Sequence, residues 1–189
     1  MDRQDLIAAP RELLTPRLHL LGPRPEHAAV FVESLNLSLP GLRFISWGRE
    51  AHDLVWAERF MQNALRFVET GDCLVFHAFV REGGAYVGRI DLHSWDFDAP
   101  RCEIGYVGDV RTAGRGLMRE AVLATVELAF ALGAARVQAL SEAGNARALH
   151  FAERALGFTR EGVLRHYERD AHGQLGEQVM FAAYNPRAA

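Results

Sequence analysis

The sequence predicts a mixed α/β fold: one largely antiparallel sheet with a single parallel pair at its centre. Three observations carry this reading. Alternating apolar runs pair as hairpins in the middle and at the end of the chain, turning at Glu82-Gly83-Gly84 and near His172-Gly173. Between them, a strand, a long amphipathic helix and another strand follow within about 40 residues, a βαβ unit with a right-handed crossover. No repeat or Pro/Gly-rich linker divides the 189 residues, so 1–189 read as a single domain.

In order along the chain, residues 1–14 carry Asp2, Arg3, Gln4 and Asp5, lack the apolar core of a secretory signal, and are expected to be an extended or mobile segment. Residues 17–21 read as the first strand after Thr15-Pro16, and Pro25-Glu26 opens a helix with Ala29, Val30, Val32 and Leu35 on its apolar face. Residues 38–52 form a loop. Asp53 N-caps a second helix that carries Trp56, Phe60, Ala64 and Phe67 at helical spacing and stops at Gly71. Strands follow at 74–81, 86–95 and 102–110. A helix at 117–132 shows a one-sided stripe of Leu117, Ala121, Ala124, Leu128 and Leu132 and ends at Gly133. The strand 136–141, a helix over 145–156 ended by Gly157, and a closing hairpin of 158–168 and 178–184 complete the order β-α-α-β-β-β-α-β-α-β-β.

Composition excludes several chemistries. Apolar residues at 49% and charged residues at 24% are those of a globular protein. All 21 basic residues are arginine. Schiff-base and pyridoxal-phosphate catalysis and the Walker-type nucleotide site, which all need a lysine, are therefore excluded. Any anion site must use backbone N–H groups or arginine. A net charge of −3 gives no basic field, so no direct nucleic-acid partner is expected. Cys73 and Cys102 belong to no CxxC pair, which argues against structural zinc and a disulfide framework and for a reducing, cytoplasmic setting. The most apolar stretch, 122–132, is interrupted by Glu127 and falls short of the ~20 residues of a membrane span.

The junction Val110-Arg111-Thr112-Ala113-Gly114-Arg115-Gly116-Leu117 joins a strand to a helix. Two glycines one residue apart permit a tight turn that points successive N–H groups into a concavity, and the helix N-terminus adds partial positive charge. Arg111 and Arg115 could add charge-assisted bonds to a pyrophosphate. Equally, Gly114 and Gly116 could serve only a tight turn. A Rossmann fingerprint would need a third glycine at Arg119, and a nicotinamide enzyme is not expected.

Arg111 to Gly116 resembles the Arg/Gln-x-x-Gly-x-Gly/Ala loop of the GNAT superfamily of acetyl-CoA-dependent N-acetyltransferases. Tyr86-Val87-Gly88-Arg89-Ile90-Asp91-Leu92, Cys102-Glu103-Ile104-Gly105-Tyr106-Val107 and Glu120-Ala121 are similar to its RimJ/RimL-like branch of ribosomal-protein N-terminal acetyltransferases. So are Thr15-Pro16-Arg17-Leu18, Leu156-Gly157-Phe158, Glu161-Gly162 and Leu164-Arg165. The resemblance implies a GNAT-type acyl-CoA N-acyltransferase fold in which a bulge splays strand 102–110 from strand 136–141. Pantetheine would lie in the resulting slot, pairing with backbone of Tyr106, Val107, Gly108 and Val110. Pyrophosphate would lie on Arg111, Thr112, Ala113, Gly114, Arg115 and Gly116. Asn145 would contact the pantetheine arm as well as capping its helix.

The implied reaction is direct attack of a primary amine, on a peptide N-terminus or a small molecule, on acetyl-CoA, with no metal and with the protein a monomer or homodimer. Glu103 is the expected base, with Asp91 and His93 as alternatives or acceptor-side residues. Trp47, with Arg43, Arg49 and His52, would line the acceptor loop. Ala148 stands where the branch has a serine, and the last long helix has no tyrosine, so Ser141, His150 or a water would serve as acid. The helix also reads one residue longer than the family pattern before Leu156-Gly157-Phe158. An idle acyl-CoA-binding module and a small-molecule (antibiotic or polyamine) acetyltransferase are the alternative functions.

Overall fold

A computed structural model describes residues 1–169 and 173–188; His172, in the expected last turn, lies outside them. The strands are β1 Glu12–Leu14, β2 Leu18–Leu21, β3 Leu74–Val80, β4 Tyr86–Asp96, β5 Arg101–Gly108, β6 Arg136–Glu142, β7 Thr159–Arg169 and β8 Leu175–Tyr184. The helices are α1 Arg3–Ala8, α2 His27–Ser38, α3 Leu54–Glu69, α4 Leu117–Ala131 and α5 Ala146–His150. The strands form one sheet in the order β1-β2-β3-β4-β5-β6-β8-β7, and only β5 and β6 pair in parallel. This is the mixed sheet expected from the βαβ unit.

The main core lies on the sheet face covered by α4. Leu20, Phe76, Ile90, Cys102, Ile104, Val137 and Phe181 of the strands meet Ala121, Val122 and Ala129 of the helix there. On the opposite face α2 and α3 cover β3 and β4 through Phe31, Met61 and Tyr86 and through Ala64, Val68 and Val75. Asp53 caps α3 as expected, its carboxylate accepting from the Trp56 N–H at 2.8 Å.

Residues 1–14 contain a helix and an edge strand rather than an extended segment. Asp2 and Asp5 form a capping box at α1, and Leu6 is fully buried in the main core. Arg11 ties the segment down by donating to the carbonyls of Leu6, Ile7 and Val68. A six-residue helix is marginal alone, so these tertiary contacts sustain it.

The buried side of α2 also differs from the expected one. It comprises His27, Ala28, Phe31, Ser34, Leu35 and Ser38, with Val30 partly buried against the Phe31 cluster, and it leaves Ala29 exposed and Val32 outside the core clusters. Two serines face inward because their hydroxyls have partners there, described below.

The expected bulge in β5 is absent. β4 and β5 keep continuous register from His93↔Glu103 to Gly88↔Gly108. The facing glycines instead make room for α4. A Cβ at Gly88 would strike the Val107 carbonyl oxygen and lie 2.7 Å from the Met118 sulfur, and one at Gly108 would lie 2.9 Å from Met118 Cγ. The first turn of α4 therefore packs directly beneath the end of β5. Gly88→Ala is expected to destabilise the protein by about 1–3 kcal/mol, the usual cost of overpacking, read as a lower denaturant midpoint at unchanged slope.

Candidate active site

The site begins where a parallel pair stops being one. β5 and β6 pair over only three positions, Arg101↔Arg136, Cys102↔Val137 and Glu103↔Gln138. Beyond them β5 continues on β4 and β6 continues on β8 as far as Glu142↔Gln178. The two inner edges therefore part and leave a slot. The Asp109 N–H donates to the Val87 carbonyl at 2.8 Å, which fixes the antiparallel alternation along β5. Glu103, Gly105 and Val107 turn their backbone groups to β4, while Ile104, Tyr106 and Gly108 turn theirs into the slot. Of the strand residues expected to meet a pantetheine arm, Tyr106 and Gly108 are thus placed to pair with it. Val107 is bonded to β4, and Val110 lies beyond the strand in a 3₁₀ turn of Val110–Thr112.

One end of the slot opens on the glycine loop. Gly114 and Gly116 have φ of 76° and 72°, and Gly116 stands at the N-cap of α4 with no side-chain cap. Among the described residues no hydrogen bond takes up the N–H groups of Gly114, Arg115, Gly116, Leu117, Met118 or Arg119; the first bond into the helix comes from the Glu120 N–H. Six free donors at a helix N-terminus fit a pyrophosphate. Thr112 and Ala113 do not add to this set, because their N–H groups donate to Asp109 and Val110.

Two arginines of the loop region have structural duties. Arg111 is turned away from the expected phosphate role: its Nη2 lies 2.6 Å from Asp109 and its Nη1 2.7 Å from Glu33 of α2. Burial pushes the Asp109 carboxyl up, but hydrogen bonds from Arg111 and Ser34 outweigh it and hold the group below its usual value. Arg17 holds the loop from the other side, donating to the carbonyls of Arg115 at 3.1 Å and Gly116 at 3.3 Å. Its Nε meets Glu120 at 2.6 Å, and Thr15 donates to the same carboxylate at 2.6 Å. Fixing these carbonyls fixes which way the neighbouring N–H groups point. The sequence offered no role for Arg17 or Glu120, only their place in the family pattern. Arg115 is exposed and has no ionic partner among the described residues, so it is the loop cation left for an anion.

The far wall of the slot is α5. Asn145 caps it, its side-chain oxygen accepting from the Ala148 N–H at 3.2 Å, which leaves its amide NH2 to donate. The helix then widens into a π-turn, Phe151–Ala155, with the Leu156 N–H bonded to the Phe151 carbonyl at 2.9 Å. The extra residue counted before Leu156 is accommodated there. Arg119 of α4 captures the Ala155 carbonyl at 2.6 Å, and Tyr106 meets Phe151 edge-on with centroids 5.3 Å apart.

Glu103, Asp91 and His93 come together on the face of the sheet opposite α4. Glu103 is partly exposed, accepts from Gln138 Nε2 at 3.3 Å and lies 3.9 Å from His93 Nε2. Asp91 pairs with the mostly buried Arg89 at 3.2 Å, and its carboxylate sits over Gly105, where a Cβ would lie 2.5 Å from Oδ1. Ser141 is half-buried in the part of β6 that has left β5 but still pairs with β8 and, by strand alternation from Gln138, lies on the opposite face. A carboxylate and a hydroxyl thus flank the slot from its two sides. Trp47 packs on Phe31 and Phe60, and His52 stacks on Trp56 at 3.7 Å, so both anchor the acceptor-side loop. Phe44 and Arg49 of that loop line a shallow surface cleft with Glu142 and Gln178. Both cysteines are buried, and burial pushes the Cys73 thiol up to about 11 and Cys102 higher still. Neither offers a thiolate for a covalent intermediate. Among the described residues no three potential ligands cluster as a metal site, and no helix is long and apolar enough to cross a membrane.

Burial raises the Glu120 carboxyl, but the bonds from Thr15 and Arg17 hold it below 4.5 in the folded protein. Its contribution to stability is complete above 4.5 and is lost as pH falls through the lower folded value. Unfolding of Glu120→Gln is therefore expected to be less pH-dependent below 4.5 than that of the wild type, measured by denaturation from pH 7 to 3.

No curated protein matches the sequence. Solved structures share the fold. A microcin C7 self-immunity acetyltransferase in complex with acetyl-CoA and AMP superposes with a TM-score of 0.81 at 17% identity, over 90% of this chain and 93% of that one. RimL, the ribosomal L7/L12 alpha-N-protein acetyltransferase in complex with coenzyme A, gives 0.80 at 17% identity over 91% and 96%. Ribosomal-protein-S5-alanine acetyltransferase from Vibrio fischeri gives 0.77 at 19% over 93% and 97%. The family model for the acetyltransferase (GNAT) domain matches residues 17–159, which contain the parted strands, the glycine loop and Asn145 alike. By that match the chain belongs to the GNAT acetyltransferase family.

Proposed function

We propose that this acetyltransferase moves an acetyl group from acetyl-CoA to a primary α-amine, as at the N-terminus of a peptide, by direct attack within a ternary complex. The observation that carries the reading is the slot between β5 and β6, open at one end on six free N–H groups and flanked by Glu103 and Asp91. Acetyl-CoA supplies an activated thioester and a pyrophosphate handle. The N–H groups of Gly114 to Met118, with Arg115, hold the pyrophosphate. The slot-facing backbone of Tyr106 and Gly108 and the amide of Asn145 hold the pantetheine arm. Backbone N–H groups on this edge donate to the oxygen on which negative charge develops.

Glu103 takes the proton from the attacking amine, directly or through a water, and Asp91 draws the ammonium form to Gly105. The absent side chain at Gly105 is what lets the Asp91 carboxylate lie across β5 there. An α-amine, with a pKa of about 8, is about a tenth neutral at pH 7, whereas a lysine side chain near 10.4 is neutral only about once in 2,500. A single partly exposed carboxylate is sufficient for the first and poorly matched to the second. The acceptor side also suits an extended chain end, since β6 and β8 present Gln138, Leu140 and Met180 only partly buried there. The thiolate leaves at a thiol pKa near 8.5, so Ser141 or water suffices to protonate it.

Three measurements test this. Calorimetry with acetyl-CoA should show binding by the wild type and at least about tenfold weaker binding by Gly114→Glu, a loss of about 1.4 kcal/mol; no binding by the wild type overturns the reading. Glu103→Gln should lower kcat by about 10²–10⁴-fold with little change in the KM for acetyl-CoA. In a thiol-release screen, peptides with free N-termini should turn over faster than their N-blocked, lysine-containing counterparts and faster than polyamines. Turnover of polyamines alone would favour a small-molecule acetyltransferase, and no turnover with any amine an idle binding module.

A further inference from the structure

Helix α2 touches both halves of the site through side chains for which the reaction itself has no use. Toward the cofactor loop, Glu33 holds Arg111 at 2.7 Å, the buried Ser34 lies beside the Asp109 carboxylate, and the Ser38 hydroxyl accepts from the Val110 N–H at 3.1 Å. These bonds explain why α2 buries two serines and why the Asp109 side chain is wholly buried at the end of β5. Toward the acceptor loop, Asn36 donates to the His52 carbonyl at 2.8 Å and accepts from its N–H at 3.0 Å, closing residues 39–52 onto the same helix. That loop spans to the far wall of the slot. A Cβ at Gly41 would lie 3.4 Å from Arg147 of α5, and one at Gly144, just before Asn145, 3.6 Å from the Phe44 ring. Glycine loop, α2, acceptor loop and the start of α5 therefore form a continuous chain of contacts along the slot.

We propose that Glu33 and Ser38 are positioning residues that join the cofactor loop to the acceptor loop, so that filling the first orders the second. The proposal rests on the acetyl-CoA reading above. Physically, Asp109 and Arg111 form the joint. Their mutual bonds fix the start of the glycine loop, and the remaining Nη1 of Arg111 transmits that position to Glu33. A bound pyrophosphate narrows the range of loop positions, and α2 passes the restriction to residues 39–52 through Asn36. Coupling of this kind is reciprocal, so an acceptor that orders the loop tightens cofactor binding by the same factor.

Hydrogen exchange of the intact protein with and without saturating coenzyme A tests it. In the wild type and in Ser38→Thr, which keeps the hydroxyl, coenzyme A should slow exchange both at 110–117 and, by about fivefold or more, at 39–52, the low end of ordinary coupling between sites. In Glu33→Ala/Ser38→Ala the protection at 110–117 should persist at saturation while that at 39–52 is lost. The single variants Glu33→Gln and Ser38→Ala, each removing one bond or one charge, should lose part of it and serve if the double variant does not fold. A merely structural role would speed exchange throughout without changing the response to coenzyme A. Unchanged exchange at 39–52 in the liganded wild type, or full retention of the effect in the variants, overturns the coupling alone. No protection at 110–117 in the wild type overturns the acetyl-CoA reading itself.

Discussion

Two backbone edges that belong to one sheet are held apart, and the rest of the structure is arranged to keep them so. Unpaired peptide groups cost about 1–3 kcal/mol each when shut away from water, so β5 and β6 have every reason to close after Glu103↔Gln138. Their outer registers prevent it. β5 is bonded to β4 through Gly108 and β6 to β8 through Glu142. Closing the slot would require one of those ladders to slip, which would turn a whole set of side chains to the wrong face. Below, Met118 wedges under the Gly88/Gly108 pair, and across the opening Tyr106 rests on Phe151. The slot thus offers bonds that only an extended, amide-bearing molecule can satisfy.

Charge is distributed on the same logic. With no lysine present, every cation is a planar guanidinium suited to holding carbonyls and carboxylates in fixed geometry. Arg17 and Arg111 orient the glycine loop through its carbonyls and through Asp109. The N–H groups that those arginines position are the ones proposed above to hold the pyrophosphate, with Arg115 at the rim.

Features set by neighbours in the chain were legible in the sequence. The βαβ unit, the Asp53 and Asn145 caps, the glycine turn into α4 and the stop at Gly133 each depend on residues within a few positions of one another, and the pattern displays them. Features set by distant partners were not. Arg111 sits in a loop that invites a phosphate role, but Glu33 lies 78 positions away, and no local pattern pairs them. For the same reason the inward face of α2 was misplaced, since Ser34 and Ser38 look solvent-facing until Asp109 and Val110 are beside them. Val107 illustrates a third case, where strand phase depends on a register no single strand contains. Glu103, Asp91 and His93 were recognisable because alternation places them on one face and the β4/β5 hairpin brings them side by side.

The π-turn after α5 separates two duties of one helical segment. An extra residue in a helix advances everything after it by about 100°, yet Leu156 and Phe158 still reach the core because the widened turn absorbs the change within Phe151–Ala155. The segment before the turn, with Asn145 and Ala148, keeps its aim at the slot. The widened turn also carries the Ala155 carbonyl that Arg119 grips, while the buried anchor downstream packs in the core. That separation lets such a domain vary the rim of its binding site in one-residue steps without repacking its interior.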